Sequence, residues 1–258
     1  MARTADAKSD TNRHMINNQI HFTPPVIAHR GASAYAPENT MAAFTKAAQL
    51  GIQWIEFDVM LAACGTPIVF HDDTLERTTN GYGSVAEYPY AYLQTLDAGK
   101  WFSPSFSGEK IPALVQVLEF MRDYGISANI EIKPLPGQDK ITTVRVWEEV
   151  SRQQADLSTI LFSSFSIKSL ETLRPLSDNC MMGLLMDHWL PDWPLITDDL
   201  NCVSVHLNQA VISSEKAKKI TNSNRKLLCY TVNDIGRAKE LYSFGVDAVF
   251  SDRPDKVY

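Results

Sequence analysis

Short apolar segments alternate with amphipathic segments along most of this chain. The apolar segments are rich in β-branched and aromatic side chains, which is typical of buried strands. Most are followed by a stretch with helical periodicity, and Gly or Pro marks many of the boundaries. Over the 258 residues this pattern predicts about eight strand-then-helix units, the last with only a short helical stub after Pro254.

This alternation predicts the fold class. Repeated βα units form a parallel sheet, and about eight of them predict closure into a (β/α)8 barrel, the TIM barrel. The main alternative is an open doubly wound sheet. Because no GxGxxG or GxxxxGK stretch follows a predicted strand, the nucleotide-binding form of that alternative is weakened. We therefore predict an α/β protein with a single TIM-barrel domain over residues 23–258.

Two regions depart from the alternation. Residues 1–22 begin with a polar stretch and are predicted to form a flexible N-terminal tail. From about residue 74 to 112 the periodicity is lost, and this length exceeds an ordinary connecting loop, so we interpret it as a small insertion or subdomain beside the site. The insertion is rich in aromatic residues, which form either its own core or an apolar lip beside the site: Tyr88, Tyr90, Tyr92, Trp101 and Phe102.

Charge and composition exclude several classes. The net charge is −6 and there is no basic run, which argues against a nucleic-acid partner. No apolar run has the length of a membrane span, and the N-terminus shows no secretory signal. The four cysteines lack CxxC spacing and lie in or beside apolar runs, which favours free thiols in a reducing compartment. We expect a cytoplasmic protein without integral membrane association, and the sequence carries no signal for its oligomeric state.

The predicted strand Trp54–Val59 carries two carboxylates where apolar side chains are expected. Side chains of a strand alternate between its faces, so Glu56 and Asp58 point the same way. Two ionised carboxylates on a buried face cost several kcal/mol unless a cation or hydrogen-bond donors compensate them. A bound metal ion is the simplest compensation, and a salt bridge at a strand end is the alternative.

Further ionisable residues lie at or near the carboxyl ends of the early predicted strands. The strand ending near Pro134 places Glu131 and Lys133 on one face by the same alternation, and two other extended segments end in His29 and His71. In a TIM barrel the active site lies at the carboxyl ends of the strands. We therefore expect these groups to converge at one mouth of the barrel.

The residue types in this cluster indicate a chemistry. Three carboxylates are hard oxygen ligands that favour Mg²⁺ or Ca²⁺ over zinc. Arg30 and Lys133 supply positive charge for a phosphate group. Two histidines are then available for proton transfer, one to the leaving oxygen and one from the attacking oxygen. This set is suited to cleavage of a phosphodiester.

Seven stretches of this sequence together resemble the glycerophosphodiester phosphodiesterase family in its cytoplasmic bacterial type, over about residues 25–255. They are His29-Arg30-Gly31-Ala32, Pro37-Glu38-Asn39-Thr40, Glu56-Phe57-Asp58-Val59, His71-Asp72 with Leu75 and Thr78-Thr79-Asn80-Gly81, Glu131-Ile132-Lys133, Tyr230-Thr231-Val232-Asn233 and Gly245-Val246-Asp247. The resemblance implies a TIM barrel with an insertion after the second strand, and hydrolysis of a small glycerophosphodiester to an alcohol and sn-glycerol 3-phosphate.

The resemblance also implies roles for particular residues. It implies that one divalent cation, Mg²⁺ or Ca²⁺, is bound by Glu56, Asp58 and Glu131, that His29 and His71 are the acid–base pair, and that Arg30 and Lys133 hold the phosphate. The family often has Trp where this chain has Tyr230, so Tyr230 is expected to flank the substrate, with Phe165 as a further candidate for the apolar wall. His188 and His206 lie outside the family pattern and are interpreted as structural or solvated.

Three other functions remain open from the sequence. A related barrel could act on lysophospholipids like a lysophospholipase D or on sphingomyelin like a sphingomyelinase D, and either would need an apolar entry. A binding barrel without turnover is the third, and the intact candidate residues argue against it.

Overall fold

Eight parallel strands form a closed ring in the computed structural model, which describes residues 20–258. Each strand of the ring pairs with its neighbours in parallel, and β1 closes it by pairing with both β9 and β2. The strand β3 lies outside the ring, antiparallel to the end of β2. The strands are β1 Val26–Ala28, β2 Trp54–Leu61, β3 Pro67–Val69, β4 Ser127–Ile132, β5 Ile160–Ser164, β6 Met181–Met186, β7 Ser204–Asn208, β8 Lys226–Tyr230 and β9 Ala248–Ser251.

Helices connect successive strands of the ring, so the predicted TIM barrel is confirmed. The helices are α1 Met41–Gln49, α2 Tyr90–Leu93, α3 Leu114–Tyr124, α4 Asp139–Arg152, α5 Ile167–Leu173, α6 Trp193–Asp199, α7 Ser214–Thr221 and α8 Ile235–Ser243. Thr40 caps α1 by accepting a hydrogen bond from the Ala43 amide, and Gly125 ends α3 in the left-handed conformation.

The sequence pattern misses α6. From sequence we interpret this connection as a less regular segment with Trp189, Trp193 and two prolines, but Pro194 lies in the first turn of a helix. Proline is tolerated in the first turn because its missing amide would have no partner there. The structure thus corrects the prediction at this one connection.

Apolar side chains fill both sides of the barrel wall. Outward-facing strand residues pack against the helices in a large core. A second core lies inside the barrel and includes Ile27, Leu161 and Leu228. Ile20 is part of this inner core, and the indole of Trp54 donates a hydrogen bond to the His21 carbonyl. The packed domain therefore includes residues 20–22, which we assign from sequence to a flexible tail, while the rest of that predicted tail lies outside the described residues.

The segment between β3 and α3 has its own small core. Leu75, Val85, Leu93 and Ile111 are buried there against residues of β2 and β3. The aromatic residues of this segment divide into two groups: Tyr88 and Tyr90 pack on the core, whereas Tyr92 and Trp101 are 39% and 41% exposed. Among residues 20–258, no helix is both long and apolar enough to cross a membrane.

A polar layer separates the inner apolar core from the mouth of the barrel. The amide of Asn129 donates to the Ser163 hydroxyl, and Ser204 and His206 share a hydrogen bond. His206 is fully buried, and this burial lowers its pKa to about 3, so the ring is neutral. A Cβ on Gly183 would lie 2.4 Å from His206 Nε2 and 2.5 Å from the Ser204 hydroxyl, so this position requires glycine.

Gly183→Ala is expected to destabilise the protein by about 1–3 kcal/mol, because the added methyl overlaps buried atoms on the neighbouring strand. Chemical denaturation measures this loss. Gly236→Ala in α8 is the control, since its Cβ would meet only the Asp234 side chain. If the two variants are equally stable, the tight packing around His206 is wrong.

Candidate active site

Three acidic side chains meet inside the mouth of the barrel. Glu56 and Asp58 project inward from β2, and Glu131 projects from β4, where it is the register partner of Asp58. Each of the three offers an oxygen atom, and these atoms lie within 4.8 Å of one another. All three side chains are buried. The predicted convergence of carboxylates from two strands is therefore present.

The electrostatics of this acidic cluster indicate that a cation belongs there. Burial raises the pKa of Glu131 to about 8 and that of Glu56 well above its usual value, and the charge of Asp58 adds to both shifts. Burial also opposes ionisation of Asp58, but Arg30, Lys133 and His71 lower its pKa overall. The buried Oε1 atom of Glu131 has no hydrogen-bond partner among the described residues. Three hard oxygen donors with uncompensated charge fit a divalent cation.

Arg30 and Lys133 lie beside the acidic cluster. Arg30 Nε is 3.5 Å from Asp58, and its backbone amide donates to Glu56. Lys133 Nζ is 3.7 Å from Asp58. Arg30 has a φ of +55° and is followed by Gly31 at +79°; a Cβ on Gly31 would lie 2.7 Å from Ala43, so this glycine lets the loop after β1 pack on α1. Both cations line the cavity, and the backbone that carries Arg30 is fixed by this packing.

His29 is oriented by an aspartate from the other end of the chain. Its Nδ1 lies 2.7 Å from Asp252 just after β9, and because a carboxylate can only accept, Nδ1 carries the proton. Asp252 also accepts hydrogen bonds from Ser33 and Asn233. Burial alone would raise the pKa of Asp252, but these hydrogen bonds outweigh burial and lower the pKa to about 2. The ring of His29 lines the cavity, and its Nε2 atom is left to accept or donate a proton.

His71 has a matching arrangement. Its Nδ1 lies 2.6 Å from Asp72, which is held in turn by the Arg77 guanidinium. Arg77 also binds Glu38, which pairs with Arg30. Burial lowers the pKa of His71, and the nearby charges of Arg30 and Lys133 lower it further against the opposing effect of Asp58. His71 is therefore neutral near pH 7.

The cavity between these groups has a volume of about 330 Å³ and one apolar wall. Phe165 and Tyr230 form this wall, with ring centroids 5.9 Å apart and planes nearly perpendicular. The Tyr230 hydroxyl donates to the Met186 carbonyl, which fixes its ring. The nine residues that the sequence singles out thus cluster around one site: His29, Arg30, Glu56, Asp58, His71, Glu131, Lys133, Phe165 and Tyr230.

The structure adds residues that sequence reasoning missed. Asp252 directly follows β9, and Asn208 ends β7 and lines the cavity. Asn39, which the sequence gives only as part of the stretch Pro37-Glu38-Asn39-Thr40, donates a hydrogen bond of 2.9 Å to the buried Asp58 carboxylate. A signal existed for Asp252, because it follows a predicted strand end as His29 does. His206 lies below the site and His188 is exposed, as the sequence predicts.

Comparison with known proteins identifies relatives over nearly the whole chain. The model of the glycerophosphoryl diester phosphodiesterase family matches residues 29–256. A glycerophosphodiester phosphodiesterase of Caldanaerobacter subterraneus is 34% identical over 235 residues, which cover 89% of this chain and 94% of that protein.

Solved structures show the same likeness. A phosphodiesterase of Oleispira antarctica, in complex with its product sn-glycerol-3-phosphate, superposes with a TM-score of 0.87 at 38% identity, covering 90% of this chain and 94% of the other. A glycerophosphodiester phosphodiesterase of Agrobacterium tumefaciens superposes with a TM-score of 0.76 at 29% identity, covering 89% and 96%.

Glu131→Gln tests the cation site through stability. From pH 4.5 to about 8 the unfolded chain has lost the Glu131 proton and the metal-free folded protein keeps it, so metal-free stability falls as the pH rises. In chelator at pH 8 the variant is expected to be more stable than the unmodified protein, by about 2–4 kcal/mol. The difference should vanish near pH 4.5.

Thermal denaturation with chelator and with added Mg²⁺ or Ca²⁺ measures both effects. The cation should stabilise the unmodified protein and have little effect on Glu131→Gln. Glu119→Gln, on the exposed face of α3, is the control and should behave like the unmodified protein. Equal stabilisation of Glu131→Gln by the cation would contradict the site.

Proposed function

This chain belongs to the glycerophosphoryl diester phosphodiesterase family, and from that premise we propose which of its residues carry out the metal-dependent hydrolysis of glycerophosphodiesters to an alcohol and sn-glycerol 3-phosphate. One observation carries the proposal. The acidic cluster opens into a cavity that is lined by two histidines, each held through Nδ1 by an aspartate, and by two cationic side chains.

Glu56, Asp58 and Glu131 would bind the divalent cation. Their hard, buried oxygens suit Mg²⁺ or Ca²⁺ better than zinc, and the unpartnered oxygen of Glu131 supports its role as a ligand. When bound, the cation supplies Lewis-acid stabilisation of charge on the phosphoryl oxygens. Asn39 would support Asp58 in this role, because its amide donates a hydrogen bond to one oxygen of the Asp58 carboxylate and so orients it.

Arg30 and Lys133 would bind the phosphate of the substrate. Both line the cavity beside the acidic cluster, and a diester lying there meets a guanidinium on one side and an ammonium on the other. The guanidinium can hold two phosphate oxygens, whereas the ammonium acts as a point charge. Phe165 and Tyr230 would pack against the carbon atoms of the substrate, because they form the apolar wall of the same cavity.

His71 and His29 would divide the proton transfers. His71 is neutral near pH 7 and can accept the proton of the attacking hydroxyl at Nε2. The oxygen–phosphorus bond to the leaving alcohol then breaks, and a protonated His29 gives its Nε2 proton to that alkoxide. Asp252 stabilises this imidazolium by charge and by its hydrogen bond.

The attacking oxygen has two candidates. It is either the glycerol 2-hydroxyl, which gives a cyclic phosphate that water then opens, or a water molecule that attacks the phosphorus directly. The same residues serve both routes.

We also propose that the protein works in the cytoplasm. Cys64, Cys180 and Cys229 are free thiols, and the last two are buried. This supports a reducing compartment, where thiols persist without pairing.

Release of sn-glycerol 3-phosphate from a small glycerophosphodiester tests the function. Activity should require a divalent cation and disappear in chelator. His29→Ala and His71→Ala are each expected to lower kcat by about 10²–10⁴-fold with a small change in KM, because each removes one proton transfer. His188→Ala, on the exposed loop after β6, is the matched control. Full activity of both active-site variants would refute these roles.

A substrate that lacks the glycerol 2-hydroxyl distinguishes the two routes. If the 2-hydroxyl is the nucleophile, this substrate should not be hydrolysed, and a cyclic phosphate should form transiently from the normal substrate. Phosphorus NMR detects that intermediate. Turnover of the 2-deoxy substrate at a near-normal rate would exclude the cyclic route and leave direct attack by water.

A further inference from the structure

The Arg77 side chain joins two loops at the edge of the active site. Its Nε and one terminal nitrogen bind Asp72 at 2.5 and 2.9 Å. Its two terminal nitrogens bind Glu38 at 2.7 and 2.8 Å. One guanidinium therefore uses four hydrogen bonds to connect the segment after β3 with the loop after β1.

Both carboxylates bound by Arg77 hold a residue that lines the cavity. Asp72 binds Nδ1 of His71 at 2.6 Å, and Glu38 accepts from Arg30 at 2.8 Å. Arg77 itself does not line the cavity. Asp72 thus connects Arg77 to His71, the proposed base, and Glu38 connects it to Arg30, the proposed phosphate ligand.

The backbone around Arg77 is fixed by the core of the insertion. Leu75 is fully buried, Thr78 and Thr79 are buried, and Thr79 donates to the Leu75 carbonyl from both its amide and its hydroxyl. The side chain therefore leaves an anchored turn. A flexible surface arginine would lose most of the value of such ion pairs to side-chain entropy.

Only arginine has the shape that this position needs. The guanidinium is a planar fork that can meet two carboxylates along different edges, whereas the lysine ammonium is a point charge on a flexible stem. The arginine also separates two negative carboxylates that both must stay ionised. Hydrogen bonds to Arg77 lower the pKa of both Glu38 and Asp72 against the effect of burial.

We propose that Arg77 is a positioning residue that sets the orientations of His71 and Arg30 together, so that the insertion acts as a structural part of the active site. The proposal rests on the roles assigned above to His71 and Arg30. Loss of Arg77 would free Asp72 to rotate away from His71 and would leave Glu38 to draw Arg30 out of the cavity. Both proton transfer and phosphate binding would then weaken.

Arg77→Ala is the test, with steady-state hydrolysis of the glycerophosphodiester as the readout. We expect kcat to fall by about 10–100-fold and KM to rise several-fold, because one change affects His71 and Arg30 at once. Arg77→Lys should recover only part of the loss. Arg145→Ala is the matched control, since Arg145 has a similar exposure and pairs with Glu148 on the outer face of α4.

Chemical rescue separates positioning from a purely structural role. Arg77 is 45% exposed, so free guanidinium can reach the space that Arg77→Ala leaves. Millimolar guanidinium, far below denaturing concentrations, is expected to raise kcat of Arg77→Ala and not that of the unmodified enzyme or Arg145→Ala. Methylammonium at the same concentration should rescue less, because it lacks the planar fork.

A double-mutant cycle locates the effect. Asp72→Asn and Arg77→Ala should be non-additive in kcat, and Glu38→Gln and Arg77→Ala should be non-additive in KM. Unchanged kinetics of Arg77→Ala, or a loss that follows reduced thermal stability and is not rescued by guanidinium, would overturn the proposal. If His71→Ala and His29→Ala also retain full activity, the assigned roles fail as well; if those variants are inactive, only the role of Arg77 is lost.

Discussion

Burial of three carboxylates beside one another is the constraint on which the rest of the site depends. Glu56, Asp58 and Glu131 converge because two parallel strands pair in a register that places Asp58 beside Glu131. Without a cation, two of the three favour the protonated form. The surrounding groups outweigh burial only at Asp58, through Arg30, Lys133 and Asn39, whereas burial outweighs the hydrogen bond from the Arg30 amide to Glu56. The fold thus holds an acidic cluster that could bind a divalent cation.

The barrel can sustain this cluster because its stability comes from elsewhere. The large core between strands and helices and the inner core around Ile27 and Leu228 bury the apolar side chains of both strand faces. The polar layer with His206 and Ser163 then separates the apolar interior from the charged mouth. The charged groups at the carboxyl ends of the strands therefore displace few of the apolar contacts that stabilise the ring.

Local patterns predict most of this architecture. Alternation along β2 and β4 places Glu56, Asp58, Glu131 and Lys133 on inward faces, and strand ends mark His29 and His71. The remaining contacts depend on closure of the ring. Asp252 reaches His29 only because β9 pairs with β1, and the two residues are 223 positions apart. Arg77 meets Glu38 across 39 positions, through a segment without periodicity. The strand-end position of Asp252 is visible in the sequence, but neither its contact with His29 nor that of Arg77 with Glu38 leaves a signal in the spacing of residues.

The two histidine–aspartate pairs differ in what holds the aspartate. Neutral groups hold Asp252, a hydroxyl from Ser33 and an amide from Asn233, so its charge remains available to an imidazolium on His29. A guanidinium holds Asp72, and Arg30 and Lys133 lie near His71 as well. Positive charge around the second pair favours the neutral form of the His71 ring. The proposed division into base and acid rests on what holds each aspartate, since both rings bind an aspartate through Nδ1.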